Sequence, residues 1–191
     1  MTTTELIILA VLAVVVLVLL KFTRSRKDES RAAKLMKQYA DLTPEMLAGV
    51  PEEEVVEAVV SHVLACAAAT RRPDPVKELA GKPQGFTVVY SVWAVCKEMA
   101  AGSYALLKKS ATRELAETAQ AGFTAIGTPE TAAAWKALRE TEGDTTEAEH
   151  TFHRAVESEC PLTRCVTYIR DNPEQFGGEV PETAQPEETA P

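Results

Sequence analysis

The stretch Phe86-Thr-Val-Val-Tyr-Ser-Val-Trp-Ala-Val-Cys96 decides the fold of this chain, because it predicts a long helix at the centre of the core. One face of that helix, at the i, i+3, i+4, i+7 spacing, holds Phe86, Val89, Tyr90 and Trp93. Three more apolar residues widen the face: Val92, Val95 and Cys96. We therefore expect the helix to be covered on most sides. Trp93, and Trp135 further on, are expected in the core rather than in a ligand cage.

Helices are also expected directly after this stretch. Gly102 ends the first helix, and Ser103 can cap a short helix that runs through Lys109. Thr112 is then expected to cap a helix over residues 113–126, with its apolar residues on one face.

Towards the N-terminus, two helix starts stand out. Thr43 followed by Pro44 has the pattern of an N-cap and a first helical residue. Pro51 precedes Glu52-Glu53-Glu54, and three acids in a first turn suit the positive end of the helix macrodipole. That placement is a sufficient structural explanation for the acidic run. Residues 71–85, with two glycines and three prolines, are expected to be a loop.

The sequence after residue 140 predicts a loop, two final helices and a C-terminal tail. Residues 140–147 form a polar, acidic loop, and a helix with Phe152 on its buried face follows. Pro161 breaks this helix, and residues 162–170 form the last one. Residues 177–191, rich in Glu, Pro and Thr, are expected to be disordered. No segment alternates with period two, so residues 43–176 are predicted to form an all-α, compact multi-helix domain.

The N-terminus predicts a membrane anchor. Leu6 to Leu20 are fifteen consecutive apolar residues, which cover about 22 Å as a helix, and residues 5–22 are expected to hold the chain in the membrane. A cleaved signal peptide is the alternative, but positive charge follows the apolar run instead of preceding it. We therefore assign residues 1–25 to one transmembrane helix with a basic flank, and residues 26–42 to a charged helical stalk. The positive-inside rule places the N-terminus outside and the domain in the cytoplasm.

The charge of the chain is divided unevenly between tether and domain. The 191 residues carry a net charge of −8. Residues 1–40 hold seven basic and three acidic side chains, a net of +4, which leaves thirteen basic and twenty-five acidic ones, a net of −12. So acidic a domain argues against direct binding to nucleic acid and leaves a basic protein partner open. The simpler explanation is that the acidity serves solubility.

The four cysteines predict reduced thiols rather than a disulfide framework. Cys66 and Cys96 lie in apolar helical runs, Cys160 and Cys165 follow near the end, and the sequence has no CxxC pair. This pattern is typical of a reducing compartment, which agrees with a cytoplasmic domain.

Several of these features together resemble a known family. They are the break at Gly102, the alanine-rich helix after it, the corner Ile126-Gly127-Thr128-Pro129 and the ending Tyr168-Ile-Arg-Asp-Asn-Pro-Glu-Gln-Phe176. Over residues 50–176 the chain is similar to the DNA-mimic-protein-19-like domain, an all-helical family. Members typically carry Asn-Gly-Gly-aromatic-any-Gln-aromatic-aromatic at the centre, where this chain has Ala100 to Leu107 and lacks the Asn and the Gln.

That resemblance implies a protein-binding module rather than an enzyme. The family takes its name from the proposal that an acidic surface imitates DNA phosphates and occupies a DNA-binding protein. Such imitation requires carboxylates spaced like phosphates on one face of the domain.

Two histidine clusters could hold a metal. His62 and Cys66 are four residues apart in one helix, but they lie in an apolar run and core packing explains them better. His150, His153 and Glu157 share one helical face. Di-iron bundles use two Glu-x-x-His motifs, and here only one occurs, so a solvated face is the preferred interpretation. No nucleophile motif or phosphate-binding loop is recognisable, and we predict no enzyme activity and no cofactor.

The leading hypothesis is a membrane-anchored, cytoplasm-facing helical interaction module that binds a basic or DNA-binding protein. Its partner-binding carboxylates are expected to be Glu114, Glu117, Glu130, Glu140, Glu142, Asp144, Glu147 and Glu149. The alternatives are a metal-binding enzyme or sensor built on His150, His153 and Glu157, and a purely structural membrane spacer.

Overall fold

The computed structural model describes residues 31–71 and 73–177. These residues form ten α-helices and two 3-10 helices, and no strand occurs among them. Residues 31–38 are helical and are called α1. The other α-helices are α2 (Pro44–Gly49), α3 (Glu52–Ala68), α4 (Pro75–Leu79), α5 (Gln84–Ala101), α6 (Tyr104–Leu107), α7 (Ala116–Ala125), α8 (Pro129–Glu140), α9 (Thr146–Glu159) and α10 (Pro161–Asp171). The 3-10 helices are Ala111–Leu115 and Pro173–Phe176. The all-α prediction is confirmed.

The helix predicted from the deciding stretch is α5, and it lies at the centre of the domain. It packs against α3, α7 and α10 and against both 3-10 helices. Phe86, Val89 and Tyr90 are buried as predicted. Trp93, the fourth member of that face, is only half-buried and packs against the edge of the core. The expectation that Trp93 lies in the core is thus met only in part, whereas Trp135 is fully buried.

Helices α5 and α7 approach each other closely at Gly122. A β-carbon on this glycine would lie 2.9 Å from Val92 Cγ2 and 3.3 Å from the carbonyl oxygen of Val88. The absent side chain therefore sets the distance between the two helices. Beyond α7, the hairpin of α8 and α9 packs on the domain through two rings: that of Trp135 lies 5.7 Å from Tyr104 and that of Phe152 lies 6.1 Å from Phe123, centroid to centroid.

Predicted helix signals are present at three of the expected places. Thr43 Oγ1 accepts a hydrogen bond from Met46 N (3.3 Å) with Pro44 as the first helical residue. Gly102 ends α5. Gly127 has a φ of +74° and ends α7, while Thr128 N donates to the Phe123 carbonyl (2.9 Å). This pattern is a Schellman motif, and it produces the tight corner between α7 and α8.

Other boundaries predicted from the sequence are wrong. Residues 71–85 are not all loop, because Asp74 Oδ1 accepts hydrogen bonds from Val76 N and Lys77 N and starts α4. Thr112 does not cap a helix. Ser110 Oγ accepts from Thr112 N and begins a 3-10 helix, which leads into α7. The Thr112 hydroxyl instead donates to Glu98 Oε1 (2.6 Å).

Three further boundaries differ by a few residues. The short helix after Ser103 ends at Leu107, not Lys109, and Ser103 makes no side-chain capping bond. The loop after α8 is shorter than expected, because α9 begins at Thr146 and takes Glu147 into its first turn. Pro161 is the first residue of α10, a position that proline tolerates because the amide there needs no helical partner.

The segment interpreted as a stalk contributes to the core. Leu35, Tyr39 and Leu42 are buried in the same apolar cluster as α5. Tyr39 also donates its hydroxyl to Glu54 Oε2 (3.1 Å), and burial followed by this bond raises the pKa of Tyr39. Helix α1 is thereby held against α3.

Within the described residues, no helix has the length and apolar character that crossing a bilayer requires. The predicted anchor over residues 1–25, the start of the stalk and the tail beyond residue 177 lie outside the described residues.

Candidate interaction groove

An open groove of about 760 Å³ lies between α3, α5 and α10. Its apolar lining consists of Val56, Trp93, Leu162 and Val166. All but Leu162 pack against the core, and Leu162 is 42% exposed. Four carboxylates also line the groove, three on α3 and one on α10: Glu52, Glu53, Glu57 and Asp171. Thr163, Thr167 and Arg170 of α10 complete the lining. The groove is therefore an apolar strip bordered by negative charge.

Helical periodicity explains why these residues meet. On α3, Glu53, Val56 and Glu57 follow the i, i+3, i+4 spacing of one face. On α10, Leu162 and Val166 are one turn apart on the side that faces α3. Trp93 of α5 lies between the two helices. Its indole is tilted against the Tyr90 ring (centroids 5.6 Å apart) and holds Lys97 Nζ 4.5 Å from its centroid.

Two arginines lie at the groove, and both already have partners: Arg170 binds backbone carbonyls at the end of α2, and Arg31 binds Glu57 at the rim. Arg170 donates from Nη1 to the carbonyls of Leu47 (2.8 Å) and Ala48 (3.1 Å), and from Nη2 to that of Val50. It thus binds the C-terminal end of α2. Arg31 forms an exposed ion pair with Glu57 (2.6 Å) at the rim. The lining has four carboxylates and one guanidinium, and Arg31 pairs with one of those carboxylates, so an acidic excess of two charges remains.

The carboxylates predicted to bind a partner do not form one constellation. They are spread over the first 3-10 helix, α7, α8, the following loop and α9. Three of them have basic neighbours: Glu117 lies 3.2 Å from Arg139 Nη2, Glu140 3.9 Å from Lys136 Nζ and Glu147 3.9 Å from Arg154 Nη2. The Lys136 and Arg154 pairs are largely exposed, whereas Arg139 is half-buried beside an exposed Glu117. Exposed pairs contribute at most about 1 kcal/mol.

Two more of the predicted carboxylates stabilise the start of α9. Asp144 Oδ1 accepts from the hydroxyl (2.7 Å) and the amide (3.0 Å) of Thr146, and these bonds lower the pKa of Asp144. Glu149 Oε1 accepts from the Thr145 hydroxyl (2.7 Å). Glu114, Glu130 and Glu142 are exposed at separate places. Glu130 lines a second open groove of about 600 Å³ between α8 and α9. The apolar lining there is alanine alone, and Arg154 accompanies its single carboxylate, whereas three carboxylates of α3 accompany Trp93 and Val166.

The side chains of the two histidine clusters are not arranged as the ligands of a metal ion. His150 and Glu157 are exposed on α9 and His153 is half-buried. In the described ranges, no group of three or more His, Cys, Asp or Glu side chains is arranged to hold a metal ion. His62 and Cys66 are half-buried rather than enclosed in the core, and Lys82 Nζ lies against both. A cationic side chain at this position is unfavourable for a metal cation.

The groove is not evident from the sequence. The acids of α3 occupy the first turn of that helix, as the macrodipole explanation predicts. That they also lie beside Val166 and Trp93 depends on the packing of α10 against α3, which is a tertiary contact. One local signal was available: Lys97 follows Trp93 by one helical turn, which suits a tryptophan that reaches the surface.

No protein-family model matches the chain, and neither a curated protein nor a solved structure is significantly similar to it.

Proposed function

We propose that this protein is a helical interaction module that binds a basic, amphipathic helix of a partner protein in the groove between α3, α5 and α10. The observation that supports the proposal most directly is the apolar strip of Trp93 and Val166 between carboxylates of α3 and α10. An amphipathic helix laid in such a groove buries its apolar face and brings its basic flanks to the acidic rim. No catalytic step is part of the proposal.

The size of the groove suits a short helix. Its lining on α10 runs from Leu162 to Asp171, ten residues that span about 14 Å. A partner helix of about three turns would match that length, with apolar anchors at i, i+3 or i+4, and i+7. Because the rim charges are exposed, they should act mainly through the association rate and partner choice, and they should raise the affinity chiefly at low salt.

The predicted membrane tether would place this groove near the bilayer. Arg31, the first residue that the structure describes, lies at the groove rim, where it pairs with Glu57. Eight residues lie between Phe22 and Arg31, and the nine Cα-to-Cα steps from one to the other cover about 30 Å even when fully extended. With residues 5–22 in the membrane and the domain in the cytoplasm, the partner would be bound close to the inner surface.

The resemblance to the DNA-mimic-protein-19-like domain fits this proposal in one respect. A partner that normally binds nucleic acid presents Lys and Arg on its surface, and the acidic rim is complementary to such a surface. The groove adds apolar recognition, which imitation of phosphates alone would not require.

The test uses the full chain in detergent micelles and two fluorescent Lys/Leu peptides of identical composition. In one peptide the leucines form a single helical face, and in the other they are scattered. We expect the amphipathic peptide to bind at least about tenfold more tightly, with an affinity that falls as salt rises. Equal affinity for the two peptides, after subtraction of binding to empty micelles, would show that no apolar groove is used.

A further inference from the structure

A cysteine, a histidine and a lysine meet on the surface of α3, away from the groove residues. Lys82 Nζ lies 3.3 Å from Cys66 Sγ and 2.8 Å from His62 Nε2, and the two α3 side chains are themselves 3.8 Å apart. All three residues are half-buried. Lys82 comes from the turn between α4 and α5, so the cluster joins two parts of the chain.

The contacts of His62 define which group donates to which. His62 Nδ1 lies 3.1 Å from the carbonyl oxygen of Tyr39, which can only accept. The Nδ1 atom therefore carries the proton, and Nε2 accepts a hydrogen bond from the Lys82 ammonium. Burial and the Lys82 charge lower the pKa of His62, against the opposite effects of the Tyr39 and Ala40 backbone and of Asp41. The imidazole is thus held neutral and positions the ammonium.

A second neighbour fixes the ammonium as well. Lys82 Nζ lies 5.6 Å from the centroid of the Phe86 ring, and the rings of His62 and Phe86 are 5.2 Å apart. With one N–H directed to Nε2 and another to Cys66 Sγ, the positive charge is kept beside the sulfur.

The other cysteines have different surroundings. Cys96 and Cys165 are buried, and burial raises the pKa of both thiols, that of Cys96 to about 12. Cys160 is exposed, but its sulfur donates to the Glu157 carbonyl (3.4 Å) instead of accepting from a cation. Reactive cysteines occur in electropositive, partly exposed surroundings, and of these four Cys66 has them.

We propose that Cys66 is a redox modification site, oxidised by hydroperoxides and then joined covalently to Lys82. In the first step the Cys66 thiolate attacks one oxygen of hydrogen peroxide, so that an S–O bond forms and the O–O bond breaks. Sulfur is oxidised by two electrons and the peroxide is reduced. The departing hydroxide takes a proton from the Lys82 ammonium and leaves as water, giving a sulfenic acid beside a neutral amine.

In the second step the Lys82 amine attacks the sulfenic sulfur. An S–N bond forms, the S–O bond breaks, and hydroxide leaves as water with a proton from the nitrogen. The product is a sulfenamide that links α3 to the turn before α5, sixteen residues apart. Thiols reduce such a bond, so the link is reversible. His62 acts as a positioning residue for Lys82 in both steps.

The test is mass spectrometry of the full chain treated with limiting hydrogen peroxide. With dimedone present, we expect Cys66 to be labelled at least about tenfold faster than Cys160. Without dimedone, we expect a cross-linked peptide pair containing residues 66 and 82, about 2 Da lighter than the sum of its parts because two hydrogens are lost. Labelling of Cys160 as fast as Cys66 would overturn the first step, and persistent oxidation without a cross-link would overturn the second.

Variants separate the two steps from each other and from folding. Lys82→Met should slow labelling of Cys66 about tenfold and leave Cys160 unchanged, whereas Lys77→Met, which removes an exposed lysine of α4, should change neither. Lys82→Arg keeps a cation but cannot form the same link, so it should preserve fast labelling and abolish the cross-link. Unchanged labelling of Cys66 in a folded Lys82→Met variant would contradict the proposal. Circular dichroism monitors folding of each variant.

Discussion

Arg170 Nη1 lies 2.8 Å from the carbonyl oxygen of Leu47, a residue 123 positions earlier in the chain. The same guanidinium also reaches the carbonyls of Ala48 and Val50. The Leu47 and Ala48 oxygens lie in the last turn of the short helix α2 and that of Val50 just beyond it, where carbonyls lack their i+4 partners; Leu47 O also accepts from Val50 N (3.3 Å). The last helix therefore closes the domain over its first elements and holds α10 beside α3, which is the arrangement that forms the groove.

Replacing Arg170 should destabilise the fold. Arg170→Ala removes the guanidinium donor from the carbonyls of Leu47, Ala48 and Val50, of which Leu47 keeps the Val50 amide. Hydrogen bonds from a charged group contribute about 1.5–3 kcal/mol to stability. Arg170→Lys should recover less than half of the loss, because an ammonium cannot reproduce the guanidinium fork. Urea unfolding of the full chain measures both, and Arg113→Ala, at an exposed arginine of the first 3-10 helix, is the control. A loss for Arg170→Ala no larger than for the control would contradict this role.

At Gly122 a glycine-to-alanine change should lower the stability of the fold, whereas the same change usually raises the stability of a helix. In most helices alanine is favoured by about 1 kcal/mol. Here the new methyl group would lie 2.9 Å from Val92 Cγ2 on the facing helix, and overpacking costs about 1–3 kcal/mol. Thermal unfolding should show a lower Tm for Gly122→Ala. Gly81→Ala, where nothing lies within 4 Å, should leave the Tm nearly unchanged. A Tm increase for Gly122→Ala would mean that α5 and α7 are further apart than described.

Glu159 should contribute stability that depends on pH. Its carboxylate accepts from Thr131 N (2.7 Å) and Glu130 N (3.1 Å) at the start of α8. Burial raises its pKa, but these bonds and the charge of Arg164 outweigh that effect and lower it below the ordinary 4.5. A lowered folded-state pKa means that the stabilisation is present above the unfolded pKa and is lost as pH falls through the folded pKa.

Glu159→Gln should therefore cost about 1 kcal/mol near neutral pH, the usual contribution of a capping group. The difference from the parent chain should shrink as the pH is lowered below about 4. Chemical unfolding at several pH values measures this. Glu157→Gln removes an exposed carboxylate from the same helix and should show no such trend. A stability difference between Glu159→Gln and the parent chain that grows towards acid pH would contradict a lowered pKa of Glu159.

Cys160 joins α9 and α10 in a left-handed conformation, with φ 49°. This conformation costs about 1–2 kcal/mol for a residue with a β-carbon and little for glycine. Cys160→Gly should relieve that cost, offset in part by the flexibility of glycine in the unfolded chain, for a net gain of up to about 1 kcal/mol. Cys160→Ser keeps the β-carbon and should gain nothing. Equal stabilities for the two variants would contradict the predicted relief.

The sequence predicted the helices whose signals are local. The spacing of Phe86, Val89 and Tyr90 defines α5, and the Thr43-Pro44 and Gly127-Thr128 pairs mark helix ends that depend only on neighbouring residues. Such signals act within one turn, so they can be read without the tertiary structure.

Features that depend on tertiary contacts could not be predicted in the same way. Thr112 resembles an N-cap, but Glu98 of α5 takes its hydroxyl, and Ser110 caps instead. Lys82 lies in a turn without any motif, and its role depends on the position of His62 on another helix. The groove likewise depends on α10 returning to α3. Composition predicts an acidic domain, but it does not indicate which carboxylates border an apolar surface.

The most direct test of the proposed function compares two pairs of charge-neutralising substitutions for binding of the amphipathic Lys/Leu peptide. Glu52→Gln with Glu53→Gln removes two charges at the groove, and Glu140→Gln with Glu142→Gln removes two from the loop region. We predict that the groove pair weakens binding about tenfold at low salt and that the loop pair changes it less than about twofold. Equal losses, or a larger loss for the loop pair, would contradict the groove as the binding site.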